Sequence, residues 1–99
     1  MPIVELESQD TLFLSYSFRK SKPKISYRIE ANSRVHVYVV NDEGLRNYKG
    51  GRGFYIFNIN RFASIHNEEI ILESSGQWHL IINNSNNRRV SVFYEIFEQ

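Results

Sequence analysis

Residues 34–41, RVHVYVVN, decide the fold class of this chain. Valine occupies every second position from Val35 to Val39, and polar or amphipathic residues occupy the positions between. Because successive side chains of a β-strand point to opposite faces, this alternation predicts a strand with one buried face. An amphipathic helix would instead place its apolar residues three or four positions apart.

The same period of two recurs along most of the chain. Further strands are predicted at IVELE, TLFLSYSF, KISYRIEA, FYIFNIN, EEIILE, WHLIIN and RVSVFYEIFE (residues 3–7, 11–18, 24–31, 54–60, 68–73, 78–83 and 89–98). About eight short strands, separated by turn signals, predict an all-β fold with no significant helix. The expected architecture is a single antiparallel β-sandwich of the jelly-roll type over residues 1–99, with IVELE at an edge.

The connections between these strands are predicted from their small and polar residues. Residues 31–33 indicate a tight connection, and residues 74–77 and 83–88 indicate hairpin turns. The last turn would join WHLIIN to RVSVFYEIFE in a hairpin at the centre of the core. Trp78 is expected to be buried in it, because Leu80 and Ile82 share its face.

Residues 41–53, NDEGLRNYKGGRG, hold four of the five glycines and three of the twelve basic residues. They are predicted to form a long, basic, glycine-rich loop with at most one short helical turn at residues 44–48. Long loops in compact domains are usually functional or disordered. The KGGRG sequence lacks the spacing and the following helix of a phosphate-binding P-loop.

Composition limits the class of protein. The chain has no cysteine, which excludes disulfides and thiolate metal sites and fits a reducing compartment. Residues 3–4 are followed at once by Glu5 and Glu7, so no secretory signal is predicted. No apolar run approaches the roughly 20 residues of a membrane span. The expected location is therefore cytoplasmic, or within a virion or larger assembly.

The net charge of +1 conceals an uneven distribution along the chain. Residues 19–61 carry ten basic and three acidic residues, whereas the remainder carries two basic and eight acidic residues. This segregation indicates a bipolar surface if the fold keeps the two parts separate. Interleaved strands would instead mix the charges.

Catalysis has little support in the sequence. There is no cysteine nucleophile and no GxSxG motif, and His36, His66 and His79 have no metal-ligand spacing. Each histidine is expected as an outward-facing polar residue on a half-exposed strand. No enzyme activity, metal site or cofactor is predicted.

Anionic-ligand binding is the alternative function that the basic residues suggest. The ligand would be a nucleic acid, a phosphate head group or a phosphorylated partner, held by two basic loops at the same end of the sandwich. The candidate residues are Arg19, Lys20, Lys22, Lys24, Arg46, Tyr48, Lys49 and Arg52. A third hypothesis is sugar stacking on Tyr38, Tyr55 or Trp78.

Protein–protein contact is the preferred function. Phe93 and Phe97 lie on the face of the last strand opposite Val92 and Tyr94, so this strand has two apolar faces. An apolar outer face and unpaired edge strands favour association. The sequence therefore predicts a non-catalytic interaction or assembly module that binds a protein partner and forms a homo-oligomer through Phe93 and Phe97.

Two segments, VHVYVVNDEGLRNYKGGRGF and SGQWHLIINNSNNRRVSVFYEIF, resemble the pattern of Golgi-dynamics (GOLD) domains and of GOLD-like bacterial β-sandwich domains. The resemblance covers residues 35–97. It implies a non-catalytic role in recognising proteins or lipid surfaces, with Gly76 and Trp78 structural and residues 41–53 a characteristic loop. Eukaryotic relatives carry a signal peptide, a coiled coil and a membrane span. These are missing from the 99 residues, which favours a bacterial or phage module or an excised domain.

Overall fold

The computed structural model describes residues 3–99 and confirms the all-β fold class. Its elements are β1 (Ile3–Leu6), β2 (Thr11–Phe18), β3 (Lys24–Val40), α1 (Asp42–Lys49), β4 (Phe62–Ile71), β5 (Gly76–Asn83) and β6 (Val90–Glu98). The strands form a curled antiparallel sheet with the order β1-β6-β3-β5-β2, and β4 also pairs with β3. This part of the chain therefore has six strands rather than about eight.

The 17-residue strand β3 belongs to two layers of the fold. Its first half, residues 25–31, pairs with β6, and its second half, residues 36–40, pairs with β5. We call the layer of β4, the first half of β3, β6 and β1 the first leaf. The second leaf contains the second half of β3, β5 and β2. The buried apolar residues of both leaves form one core between them.

Residues 31–33 do not form the predicted connection but lie inside β3. The pairing register with β4 shifts between Glu30 and Val35, so this part of the strand is a bulge. Side-chain atoms contact backbone groups at this point, on β3 and on the neighbouring strand β6. The Nε2 atom of buried His66 lies 3.1 Å from the oxygen of Val35, and Asn32 Oδ1 accepts a bond from the Ser91 amide at 3.0 Å. Turn-forming residue types are used here to bend a strand.

The predicted hairpin between β5 and β6 is wrong, because both strands pair with β3 and not with each other. The loop between them instead connects the two leaves. Asn84 is fully buried in this loop, and its Nδ2 donates to the carbonyl oxygens of Leu6, Glu7 and Arg88 at 2.9–3.1 Å. The predicted inward face of β5 is confirmed, since Trp78, Leu80 and Ile82 all belong to the core.

Residues 54–60 run beside the second half of β3 but do not form the predicted strand. The Phe57 amide donates to the Val39 oxygen at 2.9 Å. The next bonds come from one side chain: Asn58 Oδ1 accepts from the Val39 amide at 2.9 Å, and its Nδ2 donates to the Val37 oxygen at 2.8 Å. An asparagine side chain thus replaces the backbone of a neighbouring strand.

Residues 41–53 form a capped helix, α1, rather than the predicted open loop. Asn41 is its N-cap, with Oδ1 accepting from the Gly44 amide at 2.9 Å, and acidic residues occupy the first turn. At the other end, Gly51 has a φ of +71°, and its amide donates to the Tyr48 oxygen while the Arg52 amide donates to the Asn47 oxygen. These bonds make KGGRG a Schellman-type helix stop, which favours glycine at the left-handed position. Within residues 3–99, no helix is long and apolar enough to span a membrane.

Candidate functional site

Helix α1 lies across the outer face of the second leaf. Tyr48 in its last turn packs on Phe54, Phe13 and Tyr38, with ring centroids 5.4, 5.9 and 6.2 Å away. The Tyr48 hydroxyl lies 3.3 Å from Thr11 Oγ1. Tyr48 is therefore half-buried in an aromatic cluster that fixes the helix, and its ring is not the free stacking surface that the anionic-ligand hypothesis requires.

The first turn of α1 is held by a second set of contacts. His79 on β5 is 5% exposed, and its two ring nitrogens are both engaged. Nε2 lies 2.6 Å from Asp42 Oδ1, and Nδ1 lies 2.8 Å from Ser15 Oγ. These residue types are those of a hydrolytic triad. In the chymotrypsin arrangement, however, the serine contacts Nε2 and the acid contacts Nδ1. Ser15, His79 and Asp42 join β2, β5 and α1 to one another. Their role is therefore structural.

Gly44 allows α1 to approach the sheet at backbone distance. It is buried, and a Cβ at this position would lie 2.7 Å from Val40 Cβ and 3.4 Å from the Tyr55 oxygen. Carbon atoms in contact are normally 3.5–4.0 Å apart. The glycine is thus required by the closeness of the helix to β3 and to residues 53–57.

A cleft of about 690 Å³ lies between α1 and residues 53–57. Its walls carry two carboxylates, two amides and three aromatic rings, and no lysine or arginine. The lining residues are Asn41, Glu43, Gly44, Asn47, Gly53, Phe54, Tyr55, Phe57 and Glu73. We call this site the α1 cleft.

The aromatic wall of the α1 cleft is anchored in the core. The Phe57 ring packs edge-on against Trp78, with centroids 4.7 Å apart. The Trp78 Nε1 donates to the Ser74 oxygen at 3.0 Å, so the indole is fixed as well. Tyr55 is different, because it is 85% exposed and its ring is free to contact a ligand. Burial of Trp78, which was predicted, removes it from the list of exposed sugar-stacking residues.

A partly buried polar network holds the other end of residues 53–61. The Tyr27 hydroxyl donates to Glu68 Oε2 at 2.5 Å and accepts from Asn58 Nδ2 at 3.2 Å. Arg61 pairs with the other oxygen of Glu68 at 3.3 Å. Burial, and then the bond to Glu68, raise the pKa of Tyr27 well above its ordinary value. The network keeps this wall in place.

The two basic segments lie at opposite ends of β2. Residues 19–24 follow Phe18, which pairs with Gly76, whereas the last turn of α1 lies beside Thr11 and Phe13. An eight-residue strand separates its ends by roughly 23 Å. A single anionic site that uses both segments is therefore not formed.

The individual basic candidates are distributed as follows. Lys20 Nζ donates to the Gln99 oxygen at 3.0 Å, and Lys24 pairs with Glu69 at 3.4 Å. Lys49 Nζ lies 4.8 Å from the Phe13 ring centre, and Arg52 Nε donates to Asn47 Oδ1 at 3.2 Å. Arg19, Lys22 and Arg46 are exposed.

The fold interleaves the two parts of the chain whose charges differ, which is the condition under which a bipolar surface is not expected. The ion pairs Lys24–Glu69 and Arg61–Glu68 join the basic segment to acidic residues of β4. Both acids come from the part of the sequence that is rich in carboxylates. The pairing of β3 with β4 therefore mixes the charges that the sequence keeps apart.

Phe93 and Phe97 lie on the outer face of the first leaf, as the alternation predicts. Phe97 is 53% exposed, and Phe93 is half-buried with the Arg28 guanidinium 5.9 Å from its ring centre. Three further exposed apolar residues share this face by register: Ile3, Ile65 and Ile71.

The three histidines do not converge, and no group of three or more metal-ligating side chains occurs in the described residues. The expectation of half-exposed, outward histidines fits only His36, which stacks on Phe62 at 4.6 Å. It is wrong for His66 and His79, which are buried. Burial, with the nearby His66, lowers the pKa of His36.

Of the residues that line the α1 cleft, the sequence named only Tyr55 as a candidate binding residue. Two signals could have located the cleft. Asn41 followed by Asp42 and Glu43 is a helix N-terminal signature, with glycines after the last turn as a stop. WHLIIN carries the apolar residue Ile81 on the face opposite Trp78, Leu80 and Ile82, which indicates that another element covers its outer side. That element is α1, with Ile81 and Val40 fully buried on that side.

No protein-family model and no curated protein matches the chain. Solved structures do. The crystal structure of PliG from Aeromonas hydrophila, a periplasmic lysozyme inhibitor of g-type lysozyme, is similar with a TM-score of 0.72 and 12% identity, over 99% of this chain and 83% of that one. PliG from Salmonella Typhimurium gives a TM-score of 0.54 and 13% identity, over 97% and 88% of the two chains. A family 29 carbohydrate-binding module complexed with cellulohexaose gives 0.50 and 10% identity, over 97% and 68%.

These similarities correct the expected location and do not test the resemblance to GOLD domains. The cytoplasmic location is wrong by this comparison, because both PliG proteins are periplasmic. The absence of cysteine, which was one of the grounds for the expectation, is compatible with compartments of either redox state. The resemblance to GOLD domains remains a prediction, which none of these structures tests. The chain has a β-sandwich-like fold that it shares with binding proteins, an enzyme inhibitor and a carbohydrate-binding module.

Proposed function

We propose that this chain is a non-catalytic protein-binding module that also associates with itself through the outer face of its first leaf. The observation that carries this proposal is the set of exposed apolar residues on that face. Ile3 and Ile71 are 67% exposed, Ile65 is 55% exposed and Phe97 is 53% exposed.

Part of this set forms a row across four strands. Ile65 is opposite Glu30, Glu30 is opposite Phe93, and Phe93 is opposite Ile3. The carboxylate of Glu30 is paired with Arg28 at 2.8 Å, so its charge is already balanced within the face. The row can therefore be covered by a partner without leaving Glu30 as an unpaired charge.

The strength of the association follows from the area that is available. Complete burial of one large apolar side chain contributes about 1.5–3 kcal/mol, and these side chains are already partly covered. Association costs an estimated 4–15 kcal/mol or more in lost freedom of motion. Four or five half-exposed side chains offset the lower part of that range, which predicts a weak, concentration-dependent dimer.

Sedimentation velocity over a range of protein and salt concentrations tests the self-association. We expect the wild-type weight-average sedimentation coefficient to rise with concentration, and Phe97→Ser to weaken that rise. Tyr55→Ser is the control, since Tyr55 is 85% exposed but lines the α1 cleft rather than the first leaf's outer face. A wild-type monomer at the highest concentration would overturn this part of the proposal.

The fold shared with PliG supports a protein as the heterologous partner. A g-type lysozyme is accordingly the first partner to assay, by following the lysis of bacterial cell walls with and without the purified chain. A fall in the lysis rate that saturates with added chain supports this partner. An unchanged lysis rate in the presence of excess chain would exclude a g-type lysozyme as the partner.

A further inference from the structure

We infer that the α1 cleft binds an arginine side chain presented by a partner protein. The inference rests on the proposed protein-binding role but uses a different surface from the self-association face. The two surfaces share no residue, so each can be tested without the other.

The α1 cleft is negatively charged, which favours binding of a cation. Glu43 and Glu73 both line it, and neither takes part in an ion pair among the residues that the structure describes. The neighbouring acid Asp42 differs, because it is bonded to His79. The N-terminus of α1 contributes a partial positive charge of roughly one half, which two full carboxylates outweigh.

Arg52 does not neutralise this charge through an ion pair. Its Nε donates to Asn47 Oδ1 at 3.2 Å, and Asn47 lines the cleft whereas Arg52 does not. Glu43 and Glu73 therefore keep their carboxylate oxygens as acceptors without a charged donor among the described residues.

The aromatic rings explain why arginine suits the cleft. A guanidinium group is planar, stacks on aromatic faces and donates two parallel bonds to a carboxylate. Tyr55 offers an exposed ring, and Phe54 and Phe57 line the same wall. A neutral sugar also stacks on aromatic rings, but it leaves both negative charges unpaired. The charge therefore favours the cation.

The size and rigidity of the cleft fit one side chain together with the adjoining backbone of a partner loop. Its volume of about 690 Å³ exceeds what a single side chain fills. Its walls are fixed, since Tyr48 and His79 hold α1 and Trp78 holds Phe57. A rigid site keeps the entropic cost of binding low.

Titration followed by two-dimensional NMR of the ¹⁵N-labelled chain tests the inference. The probe is N-acetyl-arginine amide, and the matched control ligand is N-acetyl-citrulline amide, which has nearly the same shape and no charge. Measurements are made at a concentration where the chain sediments as one species, so that self-association does not affect the result. We expect arginine to shift the amide signals of residues 41–47 and 53–57, and citrulline to shift them at least about fivefold more weakly, as for paired charges near a surface.

Variants of the chain identify which carboxylates bind the arginine ligand. Glu43→Gln combined with Glu73→Gln should weaken arginine binding roughly fivefold to tenfold, whereas Glu98→Gln, an exposed acid on β6, should leave it unchanged. Both altered acids are exposed, and preserved signal dispersion verifies that the variants fold. Three outcomes overturn the inference: equal binding of the two ligands, equal loss in Glu98→Gln, or shifts at the cleft with cello-oligosaccharide but not with arginine.

Discussion

Replacing Gly44 with alanine separates two opposing effects on the stability of α1. In the interior of an ordinary helix, alanine is favoured over glycine by about 0.8–1.0 kcal/mol. Here the added Cβ would lie 2.7 Å from Val40 Cβ, about 1 Å closer than carbon atoms normally pack. Both atoms are attached directly to the backbone, so no rotamer change relieves the overlap.

Forced overpacking of this kind costs typically 1–3 kcal/mol. After subtraction of the gain in helix propensity, we expect Gly44→Ala to lower the free energy of unfolding by up to about 2 kcal/mol. For a domain of this size, that corresponds to a fall in melting temperature of up to roughly 15 °C. Urea denaturation at fixed pH, with thermal melting as a second measurement, gives both quantities.

The matched control is Gly53→Ala. A Cβ at Gly53 meets no atom within 4 Å, and its φ lies outside the left-handed region, so the substitution should be neutral or slightly stabilising. Faster hydrogen exchange in α1 of Gly44→Ala would show that the helix moves away from the sheet. A Gly44→Ala protein more stable than the wild type would refute the reasoning, because helix propensity would then outweigh the close contact.

Three further predictions concern single contacts. Asn58→Ala should lower the free energy of unfolding by about 2–4 kcal/mol and speed amide exchange at Val39, because two buried backbone groups lose their partner. The control is Asn60→Ala, which changes an exposed asparagine nearby. Since the pKa of His36 is lowered, the unfolded chain binds a proton below about pH 6.5 that the folded chain does not. The urea midpoint should therefore fall as the pH drops through that region, and His36→Phe should reduce this fall. His79→Leu should increase exchange in the first turn of α1 but not in the last turn, which Tyr48 holds; equal exchange in both turns would contradict the anchoring role.

The sequence predicted which side of most strands is buried, because alternation is a local property of two neighbouring residues. Val35, Val37 and Val39 are no more than 1% exposed, and Phe93 and Phe97 face outward as expected. These faces are sufficient to assign an all-β class. They carry no information on which strands pair.

The predictions of strand pairing and strand number depended on turn-forming residues. In this fold, several of those residues have other structural roles. Asn84 in the sequence NNSNN does not turn a hairpin but binds carbonyl oxygens at the start of the chain, a partner that no local pattern identifies. Residues 31–33 bend β3 instead of ending a strand. Residues 54–60 have strand-like composition, yet Asn58 takes over the hydrogen bonds that a strand would make.

The α1 cleft was not predicted, because the helix that forms one of its walls was interpreted as a glycine-rich loop. Gly44 lowers helix propensity in a segment of eight residues, and the capping signals around it were not used in the prediction. That glycine is needed because the helix lies directly on β3. Glu73 comes from the connection between β4 and β5, and only the folded chain places it beside Glu43.

The length of β3 makes the two proposed surfaces thermodynamically inseparable. β4, β5 and β6 all pair with β3, and β1 and β2 are attached to it through β6 and β5. Displacement of β3 leaves β4 without a partner and reduces the rest of the sheet to two separate strand pairs, β6 with β1 and β5 with β2. Isolated pairs of strands are marginally stable at best, so melting should be all-or-none. At every denaturant concentration, a molecule then presents both the outer face of the first leaf and the α1 cleft, or neither of them. Loss of the two binding activities on unfolding should follow a single curve.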